Sequence, residues 1–378
     1  MARPLREYDR KRDFGATPEP RGDILDPAED TGHPRSTEGL LDPAQSGGQQ
    51  QRFVIQQHDA TRLHWDLRLE HEGVLLSWAL PRGLPWDPGR NHLAVHTEDH
   101  PLQYLTFEGH IPDGNYGAGM MTVWDEGTYV PEKLTDTKLT VVLEGRRAQG
   151  RYALFQTDGR NWMIHRMDPP ADPDRRHPPE RYQLINAAPG PKPRSPAQGW
   201  AIESHWPGLR CVLVSSEGVV DLLAQGRDPV TPQFPEVRTI GRALGAIEVA
   251  LDGVITAGDA GRPRLERRLA AGSDSTRRRL ARDEAVSFVA FDVLWQDGHP
   301  TTDEPWHERR RRLEDLALEG PAWTTPSAIT EDIPAVLAAA ASAGVERLVA
   351  KRTDAAYDPR AEPLPWRIVT PGGRGTNN

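Results

Sequence analysis

His58-Asp59-Ala60-Thr61-Arg62-Leu63-His64-Trp65-Asp66-Leu67-Arg68 is the stretch on which the reading of this chain turns. His64, Asp66 and Arg68 alternate with Leu63, Trp65, Leu67 and Leu69, which is the two-residue period of a β-strand with one apolar and one chemically loaded face. Residues i, i+2 and i+4 of a strand project to the same side, so an imidazole, a carboxylate and a guanidinium stand in a row above an apolar surface. Two imidazoles, His58 and His64, with the Asp66 carboxylate suit a borderline divalent metal such as Mn2+ or Zn2+, and the Arg68 fork suits a phosphate. An ordinary surface strand also alternates, but it draws more on Thr, Lys and Glu. Six of the chain's 13 histidines (His58, His64, His71, His92, His96 and His100) crowd into this region, and such clustering favours a site.

The surroundings have the same texture. Phe53-Val54-Ile55, Leu93-Ala94-Val95, Met121 to Trp124, Leu139 to Leu143, Tyr152 to Phe155 and Trp162-Met163-Ile164 are short alternating runs separated by turn signals such as Pro112-Asp113-Gly114-Asn115. They predict a small all-β domain, a barrel, over residues 51–167. Residues 1–50 and 168–198 carry Pro, Gly and charge with little apolar periodicity; the first is expected to be mostly disordered and the second to be a Pro-rich linker. From 199 to 371 the runs at 208–214, 247–256 and 286–294 read as strands, and those at 308–318 and 333–343 as helices, giving a mixed α+β domain before a tail at 372–378.

Composition narrows the classes. The 378 residues hold 46 Lys and Arg against 55 Asp and Glu, a net charge of -9, so contact with a polyanion needs a local patch or a bound cation. A single cysteine, Cys211, excludes internal disulfides and cysteine-based zinc clusters and fits a reducing cytoplasm. No membrane span or secretory signal is evident, and the expected location is cytoplasmic.

The ordered series Gln56 to Glu70, Ser77 to Pro81, Glu98-Asp99-His100-Pro101, Phe107-Glu108-Gly109 and Gly114 to Gly119 resembles the 3'-phosphoesterase domain of bacterial DNA ligase D. The resemblance extends to Lys11 to Phe14 and Thr17 to Pro20 in the tail. It implies a β-barrel that uses a divalent metal, preferably Mn2+, to trim DNA or DNA-RNA 3' ends: removal of a 3' ribonucleoside, then of the 3' phosphate, leaves a 3' hydroxyl. By that resemblance His58, His64 and Asp66 hold the metal and Arg68 meets the scissile phosphate, with Gln56 beside it. His100 is a second phosphate ligand or proton donor, Glu98 orients it, and Tyr104 lies close by. Arg12, Asp13 and Glu19 belong to an arm at 7–20 that folds over the site. By the same resemblance Arg82, Gln56, Arg12, Asp13 and Glu19 are expected to contact the substrate phosphate with Arg68 and His100, although Arg82 stands where the family usually has Lys, and His92 where Arg is more usual.

From Trp200 the chain resembles the adenylation domain of ATP-dependent DNA ligases, with departures. His205 and Pro207 replace the Lys and Asp of a Lys-x-Asp-Gly motif, while Gly208 and Arg210 remain. Val254 stands for a Glu in Leu251 to Ile255; Phe291-Asp292-Val293-Leu294 is kept; Arg347 replaces a Gly ahead of Lys351; and Trp366 to Thr370 lacks two lysines. Adenylation needs an amine to form its phosphoramide, so the domain is expected to be a silent pseudo-ligase that does not use ATP. The end of the chain at Asn378 also leaves no room for the OB-fold that usually follows. The expected whole is a 3'-phosphoesterase of non-homologous end joining, nucleoid-associated, with Ku and a separate ligase or polymerase as partners implied by the resemblance. A non-catalytic end-joining adaptor is the alternative, and an active ligase is disfavoured by His205 and Val254 together.

Overall fold

The computed structural model describes residues 5–21, 51–60, 62–193, 199–258 and 261–372, and the chain divides into two compact units, Met1–Pro173 and Asp174–Asn378. The remainder of the expected disordered tail, 22–50, and most of the expected C-terminal tail, 373–378, lie outside the described residues.

In the first unit the alternating runs become β1 (Gln51–Asp59), β2 (Leu63–His71), β3 (Val74–Leu80), β4 (His92–His96), β5 (Gly109–Ile111), β6 (Gly119–Thr135), β7 (Lys138–Gly145), β8 (Gln149–Asp158) and β9 (Asn161–Arg166). They pair antiparallel in the order β1-β2-β3-β4-β9-β8-β7-β6-β5, and β1 pairs again with β6. Eight strands thus close a barrel with β5 added beside β6, and closure removes the edge on which an open sheet could aggregate. Along β1 and β6, Ile55 opposes Asp125 but Gln56 opposes Val123, so Trp124 is the extra residue of a bulge beside the loaded strands. Gly119, where β6 begins, has φ +145°, and a Cβ there would lie 2.3 Å from the Asp59 carbonyl oxygen; only glycine lets β6 approach β1 this closely.

β1 and β2 place Gln56 opposite Asp66, His58 opposite His64 and Val54 opposite Arg68, so one face carries all five polar groups. The other face carries Phe53, Ile55, Leu67 and Leu69, none more than 1% exposed. The chemically loaded face is buried as well, with Gln56 at 0% and Arg68 at 2% exposure. The cover is the short helix α1 (Arg6–Arg10) and the turn Leu102–Leu105. Leu5 and Tyr8, three residues apart, pack with Val54, Leu75 and Tyr104, while Arg6, Glu7, Asp9 and Arg10 remain exposed. Hydropathy along one strand cannot register a cover supplied by another segment.

The second unit holds a seven-stranded sheet, built mainly from Leu209–Ser216, Val219–Ala224, Val249–Thr256 and Ser287–Gln296, and a five-stranded sheet that includes Trp200–Ser204, Leu348–Arg352 and Trp366–Val369. The helices Trp306–Asp315 and Ile333–Ser342 fall where the spacing predicts them, whereas Gly261–Leu269 and Asp274–Asp283 were not anticipated, their Arg-rich sequences offering little apolar stripe. The expected linker also differs. Residues 174–193 belong to the second unit, and Leu184 and Ile185 are buried with Val212, Leu294, Trp295 and Trp366. Proline supplies no N–H that must be satisfied, so a Pro-rich segment can lie against a sheet wherever a few apolar side chains anchor it.

Candidate active site

Each strand of the loaded pair fixes its imidazole through the nitrogen that faces away from Asp66. His58 Nε2 lies 2.9 Å from the Gly117 carbonyl oxygen, and His64 Nδ1 lies 2.9 Å from that of Arg62. A carbonyl only accepts, so these nitrogens carry the protons, and the lone pairs sit on His58 Nδ1 and His64 Nε2. Those two atoms are each 3.7 Å from an oxygen of Asp66. The three donors lie within 4.8 Å of one another, whereas bonds of about 2.0–2.2 Å to one ion would bring them within roughly 4.4 Å. Imidazoles anchored through their second N–H and converging on a carboxylate fit a divalent cation, and a small contraction completes the set.

Arg68 is held in place by three partners: Nε donates to Gln56 Oε1 at 2.7 Å, one terminal nitrogen to Ser77 Oγ at 3.1 Å, and the other to Asp66 Oδ2 at 3.0 Å. Two of the five guanidinium N–H donors remain for a substrate. Burial works to raise the Asp66 carboxyl, but the charge of Arg68 outweighs it and holds the group well below the usual carboxylate range. The ring of Tyr104 lies 4.7 Å from the Arg68 guanidinium.

The opposite wall is the arm. Arg12 bonds Glu19 at 2.7 Å and Glu98 at 3.0 Å, reaches His100 Nε2 at 3.2 Å, and stacks 3.8 Å above the Tyr8 ring. Lys11 meets Glu98 at 2.8 Å, and the Tyr104 hydroxyl donates to Glu19. Burial tends to raise the Glu98 carboxyl, but Lys11 and Arg12 lower it further. His100 is placed by a two-bond bridge with Leu75 (2.8 and 3.0 Å), and its Nδ1 lies 2.8 Å from the Glu98 carbonyl. Burial, then the charges of Arg68 and Arg12, push the ring well below its ordinary value of 6.5.

These groups enclose a cleft of about 280 Å³ lined by Arg12, Glu19, His58, His64, Asp66, Arg68, Glu98, His100 and Tyr104, so nine of the sequence-expected residues converge. Gln56 lies beneath the cleft. Its amide donates to the carbonyls of Tyr104 and Phe107, at 3.1 and 2.7 Å, and its oxygen accepts from Arg68, so it positions Arg68 and has no free donor for phosphate. Arg82 is exposed in the connection after β3 and Asp13 is exposed in the arm, where its carboxylate accepts from Gly15 N at 3.0 Å; neither lines the cleft. His92 is buried with Nδ1 2.9 Å from the Gly83 carbonyl. The Glu98 backbone carbonyl, not its carboxylate, orients His100. With Nδ1–H so engaged and Nε2 facing Arg12, His100 presents a lone pair rather than a proton. Lys11, Tyr8 and Tyr116 were given no role from sequence, although Lys11 and Tyr116 lie in the motifs Lys11 to Phe14 and Gly114 to Gly119; their contacts form only once the arm folds over the barrel.

In the second unit a cleft of about 370 Å³ is lined by His205, Trp206, Val254, Phe291, Lys351 and Trp366, among others. Its cations already have partners. Lys351 Nζ lies 2.8 Å from Glu203 and 2.9 Å from the Phe291 carbonyl, and Arg210 makes a fork with Asp252 at 2.7 and 2.6 Å, backed by Tyr357. Burial, then the charge of Arg347, lower the His205 pKa, so the ring is neutral at pH 7. Among the described residues, no helix is long and apolar enough to cross a membrane.

A family model described as the DNA Ligase D 3'-phosphoesterase domain matches residues 56–156, and one described as an ATP dependent DNA ligase domain matches residues 193–366. Over 372 residues the chain is 37% identical to the multifunctional non-homologous end joining DNA repair protein LigD of Mycobacterium tuberculosis, covering 96% of this chain and 44% of that protein. With the LigD of Pseudomonas aeruginosa it shares 33% identity over 419 residues, covering 95% and 46%. The crystal structure of the ligase domain from M. tuberculosis LigD aligns with 50% of this chain and 58% of its own, at 28% identity and a TM-score of 0.40. The chain thus spans less than half the length of these two LigD relatives.

Proposed function

The chain is a homologue of the LigD proteins, with a 3'-phosphoesterase domain followed by an ATP-dependent ligase domain, and on that premise we propose that its barrel heals DNA 3' ends in non-homologous end joining. The single observation that carries this reading is the convergence of His58 Nδ1, His64 Nε2 and Asp66, each imidazole anchored by its other nitrogen, next to the fixed fork of Arg68. A divalent cation such as Mn2+ held there would polarise a phosphoryl oxygen and acidify a water. Arg68 offers its two free N–H groups to the non-bridging oxygens, whose charge it matches in the transition state. In release of a 3' phosphate, water adds to phosphorus, the P–O3' bond breaks, and O3' leaves as a hydroxyl by taking up the proton that the attacking water gives up. His100, neutral and buried, accepts hydrogen bonds and orients Arg12 toward the same cleft. Removal of a terminal 3' ribonucleoside uses the same pocket, with a phosphodiester in place of the monoester.

For the second domain the proposal is catalytic silence toward ATP. Supporting it are a histidine in place of the amine nucleophile, Val254 in place of an acid, and Lys351 and Arg210 already paired within the cleft. End-binding Ku and a separate ligase or polymerase are the partners this role requires. The deciding experiment is incubation of the purified chain with a 3'-phosphate primer-template. Release of phosphate with Mn2+ and none with EDTA is expected; equal release in both would overturn the metal assignment, and no release with any divalent metal would favour the adaptor reading.

A further inference from the structure

The aromatic rings around the barrel cleft differ sharply in exposure. Tyr104 and His100 are 1% and 4% exposed, but Tyr116 is 48% exposed although it lines the same cleft. An exposed tyrosine usually swings freely; this one is braced. Lys11 Nζ sits 4.8 Å and the Arg12 guanidinium carbon 5.7 Å from its ring centroid, and both cations are fixed by Glu98 at 2.8 and 3.0 Å. The loop beneath is braced as well. Asn115 N and Asn115 Nδ2 donate to the Pro112 carbonyl at 3.3 and 3.1 Å, and Ala118 N donates to Asn115 O at 3.2 Å. Gly117, at φ +76°, turns its carbonyl toward His58 Nε2 at 2.9 Å, so Tyr116 is one residue from the group that orients a candidate metal ligand.

A ring braced by two cations, about half exposed and beside the cleft, suits a flat π-system. Stacking of a nucleobase on such a ring tolerates any base, because every base has a π-face. We propose that Tyr116 is the platform on which the terminal base of a DNA 3' end stacks while its phosphate enters the cleft, making it a positioning residue that selects nucleosidic over plain phosphate esters. This rests on the 3'-end reading given above.

The test uses the full chain in EDTA, where binding is read without turnover. The probes are a 3'-phosphate primer-template with 2-aminopurine as its terminal base and a twin whose terminal nucleotide is abasic. The wild type is expected to quench the 2-aminopurine and to bind the base-bearing end about tenfold tighter than the abasic one, within the range of base–aromatic stacking. Tyr116→Phe keeps both effects, and Tyr116→Ala loses both while binding the abasic end as the wild type does. A Tyr116→Ala protein that still discriminates tenfold, a wild type that does not discriminate, or a Tyr116→Phe protein that behaves like Tyr116→Ala overturns the proposal, the last by assigning the effect to the hydroxyl. Failure of the hydrolase reading shows separately, as absence of Mn2+-dependent phosphate release from a wild type that nonetheless prefers the base.

Discussion

In the barrel cleft, His58 and His64 turn their lone pairs toward Asp66, and Arg68 retains two donors for a ligand; in the second unit's cleft, Lys351 is already paired with Glu203 and Arg210 with Asp252. Both are lined with charge, but in the first unpaired capacity points into the space, and in the second the cations Lys351 and Arg210 are engaged within the wall. The lesson is that a cleft's chemistry follows from which valences its walls leave open, more than from which residue types line it.

The sharpest way to break this comparison is to remove the barrel's convergent carboxylate. Asp66→Ala should lower Mn2+-dependent 3'-phosphate release about a thousandfold or more, because two imidazoles alone hold a hard cation poorly and Arg68 loses a partner; retained activity with an unchanged circular dichroism spectrum would place the metal elsewhere. The converse experiment in the second unit acts on stability. Asp252→Ala leaves the partly buried Arg210 without its fork and Tyr357 without its acceptor, and should lower the stability of that unit by about 2 kcal/mol, measured by urea denaturation. A loss below about 0.5 kcal/mol would mean that the pair is not needed to hold the fold, and that Arg210 is freer to meet a ligand than its geometry implies.

Arg68→Lys retains the charge and loses the fork, so a fall of roughly ten- to hundredfold in kcat with little change in KM is expected; equal activity would show that charge alone suffices. In the second cleft, His205→Lys restores an amine but not the acid at Val254, so no adenylate surviving denaturation is expected with labelled ATP in either protein. A covalent label on the wild type would refute silence outright.

The smallest effect is one of pH. His100 has a folded pKa below its ordinary 6.5, so between those values the unfolded chain binds the extra proton, and stability falls as pH drops from about 6.5 toward the folded value. His96 is shifted in the same direction by burial and contributes in the same window, while Asp66 and Glu98, lowered carboxylates, lose their contribution only below the carboxylate range. The drop in thermal midpoint between pH 7 and pH 5 should therefore be smaller in His100→Gln than in the wild type. An equal drop would assign the effect to other groups.

Local pattern exposed much of this molecule. The barrel strands and the convergence of His58, His64, Asp66 and Arg68 follow from side chains alternating across strands, a rule that acts between neighbours in sequence. The packing of residues 174–193 was hidden, because Leu184 and Ile185 are two anchors in a stretch whose average composition is that of a linker. The two Arg-rich helices were hidden too, since their buried residues Leu265, Arg268 and Leu280 make too thin a stripe for periodicity to register.

Residue types and the two-residue period suffice to say which side chains share a face of β1 and β2. Their states follow from the packing of the folded chain. It buried that face under α1, engaged Gln56 and the Glu98 carboxylate as supports, left His100 without a proton to offer, and set Tyr116 on a base of two cations. Alternation is a property of neighbouring residues, whereas protonation, desolvation and the direction of a lone pair depend on groups brought together from distant parts of the chain.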